Sequence, residues 1–203
     1  MSKFKIFIIV SAFILSSLIF GIGTSVYLGS RIPDRTSSIT VKSFEANQAL
    51  IWATLLDIES YPLWKPNLKT IEMLGTNDKG YTKWKEHYSF GKSATYEIKN
   101  YIPKSLIELR IIDSKNMPTG SWIYKLSSHE ERGVLTTKFY SITNNYLDRF
   151  IKKFIDTDYT ETDFFSLSLN AYLNQLLEDQ EEVIELLMNQ EELENIENTE
   201  APF

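Results

Sequence analysis

The sequence contains no cysteine. That absence excludes disulfide scaffolds, cysteine zinc centres, thiol nucleophiles and cysteine-linked lipid anchors. Histidine is nearly as scarce: His87 and His129 are the only two, they lack close ligand spacing, and no metal site is expected. Neither a Gly-x-Gly-x-x-Gly nor a Walker sequence occurs, so nucleotide cofactors have no motif, and no placement of Ser and His argues for a triad. No cofactor is expected. Lysine and arginine stop at Lys153: residues 154–203 hold 14 Asp and Glu and no basic residue, whereas residues 1–153 hold all 21 Lys and Arg with 13 Asp and Glu. The net charge of −6 is thus the sum of +8 and −14 and describes neither part. A basic region closed by an acidic one is neutralised from within, which argues against nucleic acid as a partner.

What is present is ordinary globular composition, 43% apolar and 24% charged in 203 residues, with a rich 13% of aromatics. The apolar content is unevenly spread. From Ile6 to Leu28 there are 23 uncharged residues, 14 of them Ile, Leu, Val or Phe, preceded by Lys3 and Lys5. As a helix rising ~1.5 Å per residue this run reaches roughly 35 Å, enough to cross a hydrocarbon core of about 30 Å. A cleaved signal peptide competes, because Gly21 and Gly23 have cleavage-like spacing. The run resumes through Val26, Tyr27 and Leu28, longer than a signal core needs, and this favours an uncleaved single-pass anchor. Lys3, Lys5 and the α-amino group favour a cytoplasmic N-terminus against Arg31 and Arg35, so the soluble domain is expected outside the cytoplasm. The expected division is a short basic tail over 1–5, a transmembrane anchor over 6–28, a linker over 29–37 containing Pro33, a domain over 38–187, and an acidic disordered tail over 188–203.

Within the domain the periodicities change along the chain. Ile39 and Val41 recur at period two and predict a strand, whereas Ala49, Trp52, Ala53 and Leu56 recur at helical spacing and predict a helix over 46–56. A turn-rich stretch, Asp57 to Asn67, follows, with Pro62 suited to the first turn of a small helix and Pro66 to its end. Six strands are then predicted, at 68–74, 81–89, 94–101, 106–113, 122–127 and 134–143. Short turns with no intervening helix make them an antiparallel meander. From Tyr146 onward the pattern is helical, and Phe165, Leu169, Tyr172, Leu173, Leu176 and Val183 form an apolar stripe opposite Glu178, Glu181, Glu182 and Glu185. The prediction is an α+β fold, a curved antiparallel sheet wrapped around one long C-terminal helix, the only large element available to cover it.

The helix over 46–56 followed by Asp57-Ile58-Glu59-Ser60-Tyr61-Pro62-Leu63-Trp64-Lys65-Pro66-Asn67 resembles a signature of the START-like or Bet v 1-like (SRPBCC) superfamily, in its bacterial polyketide cyclase/dehydrase and lipid-transport group. Gly120-Ser121-Trp122-Ile123-Tyr124 and Asp163-Phe164-Phe165 support the resemblance, which covers about residues 38–187. It implies a helix-grip fold with an internal cavity for lipids, isoprenoids or polyketides. It brings no universal catalytic residue, since its members range from enzymes to carriers.

Alternation nominates the residues that face such a cavity. In the strand from Tyr81, one face carries Thr82, Trp84, Glu86, Tyr88 and Phe90 and the other Lys83, Lys85 and His87; the lysine-free face is the inward one, because buried lysines are costly. The same logic turns Tyr96 and Ile98, then Ile107, Leu109 and Ile111, then Trp122, Tyr124 and Leu126 inward, with Phe165, Leu169, Tyr172 and Leu173 added by the last helix. The candidate ligand-binding set is therefore Trp84, Tyr88, Tyr96, Leu109, Trp122, Tyr124, Phe165, Leu169, Tyr172 and Leu173, most of which an ordinary core would also need. Glu86 is the one charge on the inner face: burial would favour its protonated form and suit it to proton transfer, while a neighbouring Lys or Arg at the cavity mouth would make it structural. Three functions stay open. They are a membrane-anchored binder of an apolar or amphipathic molecule, a cyclase/dehydrase-like enzyme, and an interaction module with a filled core.

Overall fold

The computed structural model describes residues 3–154 and 160–199, so residues 1–2 of the expected basic tail and 200–203 of the expected acidic tail lie outside the described residues. Helix α1 spans Lys3–Ser30 and is apolar on every side, with Phe7, Phe13 and Phe20 all exposed. Its stretch Ile6–Ser30 is long and apolar enough to cross a bilayer.

Strand β1 spans Arg35–Phe44, so residues 29–37 are not a free linker: only 31–34 separate helix from strand. That short connection is pinned, with Thr143 N donating to Asp34 O at 2.8 Å and Arg149 Nη1 to Ile32 O at 3.2 Å. Ile39 and Val41 mark the strand correctly but point outward, 56% and 65% exposed. The inner side belongs to Thr40, whose hydroxyl donates to Asp163 Oδ1 at 2.6 Å, and to buried Phe44. Polar pairing, invisible to a hydrophobicity pattern, decides which face turns in.

Helix α2, Gln48–Leu56, starts two residues later than predicted because Asn47 caps it, its Oδ1 accepting from Leu50 N at 2.9 Å. A 3₁₀ turn at Ile58–Ser60 leads into α3, Tyr61–Trp64. The meander follows as β2 (Leu68–Thr76), β3 (Thr82–Tyr88), β4 (Ser93–Ile102), β5 (Leu106–Lys115), β6 (Thr119–His129) and β7 (Arg132–Ile142). All pairs are antiparallel, and β1 joins the β7 edge to give the order β1-β7-β6-β5-β4-β3-β2. Gly120 has φ +151, and a Cβ there would meet Tyr140 O at 1.8 Å, so the Gly-Ser-Trp stretch needs its glycine for close strand approach. Phe90 departs from the alternation: the chain leaves β3 at Tyr88 and Phe90 sits in a left-handed turn, 93% exposed, instead of facing inward.

Beyond β7 the described residues form two helices, α4 (Tyr146–Phe154) and α5 (Glu161–Thr199). Thr160 and Asp163 cap α5 reciprocally, Thr160 N donating to Asp163 Oδ2 at 2.9 Å and Asp163 N to Thr160 Oγ1 at 3.3 Å. Donation from the Thr40 hydroxyl, then from the Thr160 hydroxyl and backbone N–H, holds the Asp163 carboxyl below its ordinary range. Helix α5 crosses the concave face of the sheet and buries Phe165, Leu169 and Leu173. It continues as helix to Thr199 through the segment expected as a disordered tail, where glutamate and leucine are good helix formers. On the outer face the cations pair across strands, Lys99 with Glu108 at 2.7 Å and Arg110 with Glu97, so charge compensation there is lateral within the sheet.

Candidate functional site

Between α3, the α5 N-terminus and strands β3, β4 and β6 lies a cavity of about 390 Å³, lined by Lys65, Pro66, Asn67, Tyr88, Tyr96, Trp122, Tyr124, Glu161, Phe164 and Phe165. Five candidate residues, Tyr88, Tyr96, Trp122, Tyr124 and Phe165, stand on its wall. The other five, Trp84, Leu109, Leu169, Tyr172 and Leu173, pack in or against the core behind it. Alternation identifies inward residues, but whether an inward residue meets a neighbour or a void depends on how far α5 reaches along the sheet.

Aromatic contacts give the wall its shape. Tyr124 stacks on Phe165 with centroids 5.0 Å apart, Trp122 on Phe139 at 4.3 Å, and Trp84 on Tyr96 at 5.5 Å. Trp64 of the Tyr-Pro-x-Trp turn meets Phe165 edge-on at 5.4 Å and stacks on Tyr172 at 6.4 Å, tying α3 to α5. Tyr61 closes the same turn by donating to Leu55 O at 2.7 Å.

Glu86 is fully buried and forms the floor of a polar cluster. Its Oε1 accepts from Lys65 Nζ at 2.7 Å and from Trp84 Nε1 at 3.0 Å, and its Oε2 accepts from the Tyr88 hydroxyl. The Lys65 ammonium lies 4.0 Å from the Tyr61 ring centroid and 5.5 Å from that of Tyr96, so aromatic faces help to hold the charge. Burial pushes the Lys65 pKa down, opposed by the charge and hydrogen bond of Glu86. Burial likewise raises the Tyr61, Tyr88, Tyr96 and Tyr124 hydroxyls above their ordinary range, and the Glu86 charge adds to each shift. Glu86 therefore has the lysine partner that the structural alternative required, and it meets the cavity through Lys65 and Tyr88 instead of lining it.

Lys65 brings a nearly buried cation to the wall and lies outside the candidate set. It sits in a turn between Trp64 and Pro66, where no period assigns a face; only the Glu86 charge on the facing strand hinted at a cation. Asn67, Glu161 and Phe164 were missed for the same reason, since they lie at a turn and a helix start. Asn67 adopts φ 62, which asparagine tolerates, and its carbonyl accepts from Ser89 N at 2.9 Å, joining the mouth to the β3–β4 turn. At the opposite rim a second depression of about 610 Å³ is lined by Glu45, Asn47, Gln48, Ala49, Lys104, Ser128, Glu131 and Leu177. Its charged and amide lining makes it the weaker candidate for an apolar ligand.

No family model and no curated protein matches the sequence. Solved structures do match. A START superfamily protein from Mycobacterium smegmatis superposes with a TM-score of 0.55 at 11% identity, over 69% of this chain and 98% of its own. The ZhuI aromatase/cyclase from Streptomyces sp. R1128 gives 0.53 at 14% identity, over 70% and 96%. Norcoclaurine synthase from Thalictrum flavum gives 0.52 at 10%, over 68% and 86%. At such identities the likeness concerns the backbone: a seven-stranded curved antiparallel sheet gripping a long C-terminal helix, preceded here by an apolar helix, is the helix-grip fold of the START/Bet v 1-like proteins.

Proposed function

We propose that the protein is a membrane-anchored binding protein for an apolar or amphipathic small molecule of the lipid, isoprenoid or polyketide-like kind, held in the aromatic cavity. The observation that carries this is the cavity itself: about 390 Å³, walled by Tyr88, Tyr96, Trp122, Tyr124, Phe164 and Phe165, with one buried cation at its polar end. That volume lies in the range of small-molecule sites, and apolar burial contributes roughly 25 cal/mol per Å² removed from water. The Lys65 ammonium and the tyrosine hydroxyls suit a ligand that ends in an oxygen acceptor. Helix α1 acts as the anchor, and the domain lies outside the cytoplasm.

All four tryptophans, at 52, 64, 84 and 122, lie outside α1, which makes the test direct. Full-length protein in lipid nanodiscs is titrated with a brominated fatty acid, and tryptophan fluorescence is followed. Saturable quenching that Trp122→Phe largely removes is expected; quenching that is absent, or unchanged in the variant, defeats the proposal.

A second reading is favoured by the Glu86–Lys65–Tyr88 cluster, whose groups could move a proton to or from a bound carbonyl compound. Two structural neighbours are named as an aromatase/cyclase and a synthase. In a Glu86→Gln variant, ligand turnover lost with binding retained would support the enzyme; a substrate-free binder loses only affinity.

A further inference from the structure

Apolar surface is not confined to α1. Helix α4 places Tyr146, Leu147, Phe150, Ile151 and Phe154 along one side and Asp148, Arg149 and Lys153 along the other, the pattern of a helix lying in a membrane interface. Protein covers only part of the apolar side: Tyr146, Ile151 and Phe154 remain 47%, 42% and 61% exposed. Helix α4 is also fastened to the end of α1. Gly29 is buried against it, and a Cβ on Gly29 would lie 1.8 Å from Tyr146 O, so the two backbones touch. Arg149 locks this arrangement by donating from Nε to Thr143 O at 2.6 Å and from Nη1 to Ile32 O at 3.2 Å. The last large apolar residue of α1 is Leu28 and the first charge after it is Arg31, so α4 sits at the level where α1 would leave hydrocarbon. Cations gather there: Arg31 and Arg35 are exposed, and Arg149 and Lys153 line a 210 Å³ recess with Ile32, Pro33, Thr36 and Thr143.

The register of the sheet says what else shares this level. Arg35 of β1 pairs with Ile142 of β7, Ile142 with Thr119 of β6, and the neighbouring Gly120 with Ile111 of β5. Lys115 of β5 then pairs with Ser93 of β4, Ser93 with His87 of β3, and the adjoining Tyr88 with Leu68 of β2. The one step along a strand, from Ile111 to Lys115 of β5, runs four residues toward the same end of the sheet, so all these pairs lie toward one rim. The rim tied to α1 and α4 is therefore the rim that carries Asn67, Tyr88 and the Ser89–Gly91 turn, which is the cavity mouth. Phe90, 93% exposed, projects from that turn.

We propose that α4 lies in the interface of the bilayer that α1 spans, with Lys153 and the neighbouring Arg31 and Arg35 on anionic headgroups, and that this seat turns the cavity mouth to the membrane so that the ligand enters from the lipid phase. The inference rests on the reading of α1 as a membrane span. It commits to the bilayer as the occupant of the exposed side of α4.

Because the chain has no cysteine, single-cysteine variants give clean labelling sites. Full-length Phe13→Cys, Phe90→Cys, Lys125→Cys, Ile151→Cys and Phe154→Cys proteins carry a nitroxide in nanodiscs of phosphatidylcholine and phosphatidylglycerol. Depth is read from relaxation by oxygen against a water-soluble nickel chelate. Position 13 is expected deep in hydrocarbon, positions 151 and 154 roughly 5–10 Å into the headgroup and acyl boundary, position 90 among the headgroups, and position 125 in water. Positions 151 and 154 as open to nickel as position 125, with position 13 deep, overturn the inference and leave the anchor standing. Position 13 in water overturns the anchor itself, and position 90 in water with α4 immersed overturns the orientation of the mouth.

Discussion

The two ends of the groove between sheet and α5 are built from the same elements and finish in opposite states. Toward the far end Leu126, Leu135, Leu169 and Leu173 are buried to 5% exposure or less, and α5 closes on the sheet. At the near end Tyr88, Tyr96, Trp122, Tyr124 and Phe165 enclose open space. Branched aliphatic side chains can interdigitate to crystal-like density, whereas flat rings with polar edges must also satisfy those edges, and they stand around a cluster instead of collapsing. The buried Lys65–Glu86 pair marks the boundary. A charge there demands partners on both sides, and it recruits Lys65 and Tyr88 from the wall and Trp84 from the core behind it.

The boundary should give the largest effect. Lys65→Met leaves Glu86 buried without its cation and is expected to cost about 3–5 kcal/mol, most of which returns in the Lys65→Met/Glu86→Leu double variant. Chemical denaturation measures both, and equal losses in the two variants would show that the pair does not define the boundary. Leu169→Ala opens a void at the closed end and is expected to cost about 2–5 kcal/mol in the same assay. A loss well below that range would mean that the far end already contains free space.

The near end is addressed by pH. Tyr61, Tyr88, Tyr96 and Tyr124 ionise above the ordinary tyrosine value of 10.0 in the folded state, chiefly through burial. Below pH 10 both states hold these protons and the contribution is fully present; above it the unfolded chain releases them first, so stability falls as pH rises. Lys65 works the other way, because its folded pKa lies below the ordinary 10.5 and stability rises with pH across that interval, but it is one group against four. Tyrosinate absorbance from the four should therefore appear together with the loss of near-ultraviolet circular dichroism. Ionisation of all of them in a protein that keeps its dichroism would show the wall to be wet. The smallest stability effect belongs to Phe164→Ala at the mouth, where 48% of the residue is exposed. Its cost is expected within about 0.5 kcal/mol, yet quenching by the brominated fatty acid should weaken; an unchanged titration would move the mouth elsewhere.

Legibility in the sequence followed the length of each signal. The meander, the long helix and the inward face of β3 were readable because period two and period 3.6 repeat over many residues. Alternation misplaces Phe90 because it carries no information about where a strand stops, and a left-handed turn intervenes. Period two gives Ile39 and Val41 a strand but not a face, and the face is decided by Thr40, which wins the interior by hydrogen bonds to Thr162 and Asp163. Turns and helix starts have no period that could assign Lys65 and Phe164 a face, and in the sequence the helical pattern of α4 merges with that of α5.

The sequence alone determined the element order, the apolar segment, the amphipathic closing helix and the single inward carboxylate, all of which follow from local periodicity and composition. Tertiary structure decided which inward residues meet a cavity, that Lys65 from a distant turn neutralises Glu86, and that the mouth and the anchor share one rim. Those outcomes depend on strand register and on where α5 begins, and both arise from contacts between residues far apart in the chain, to which a local pattern is blind.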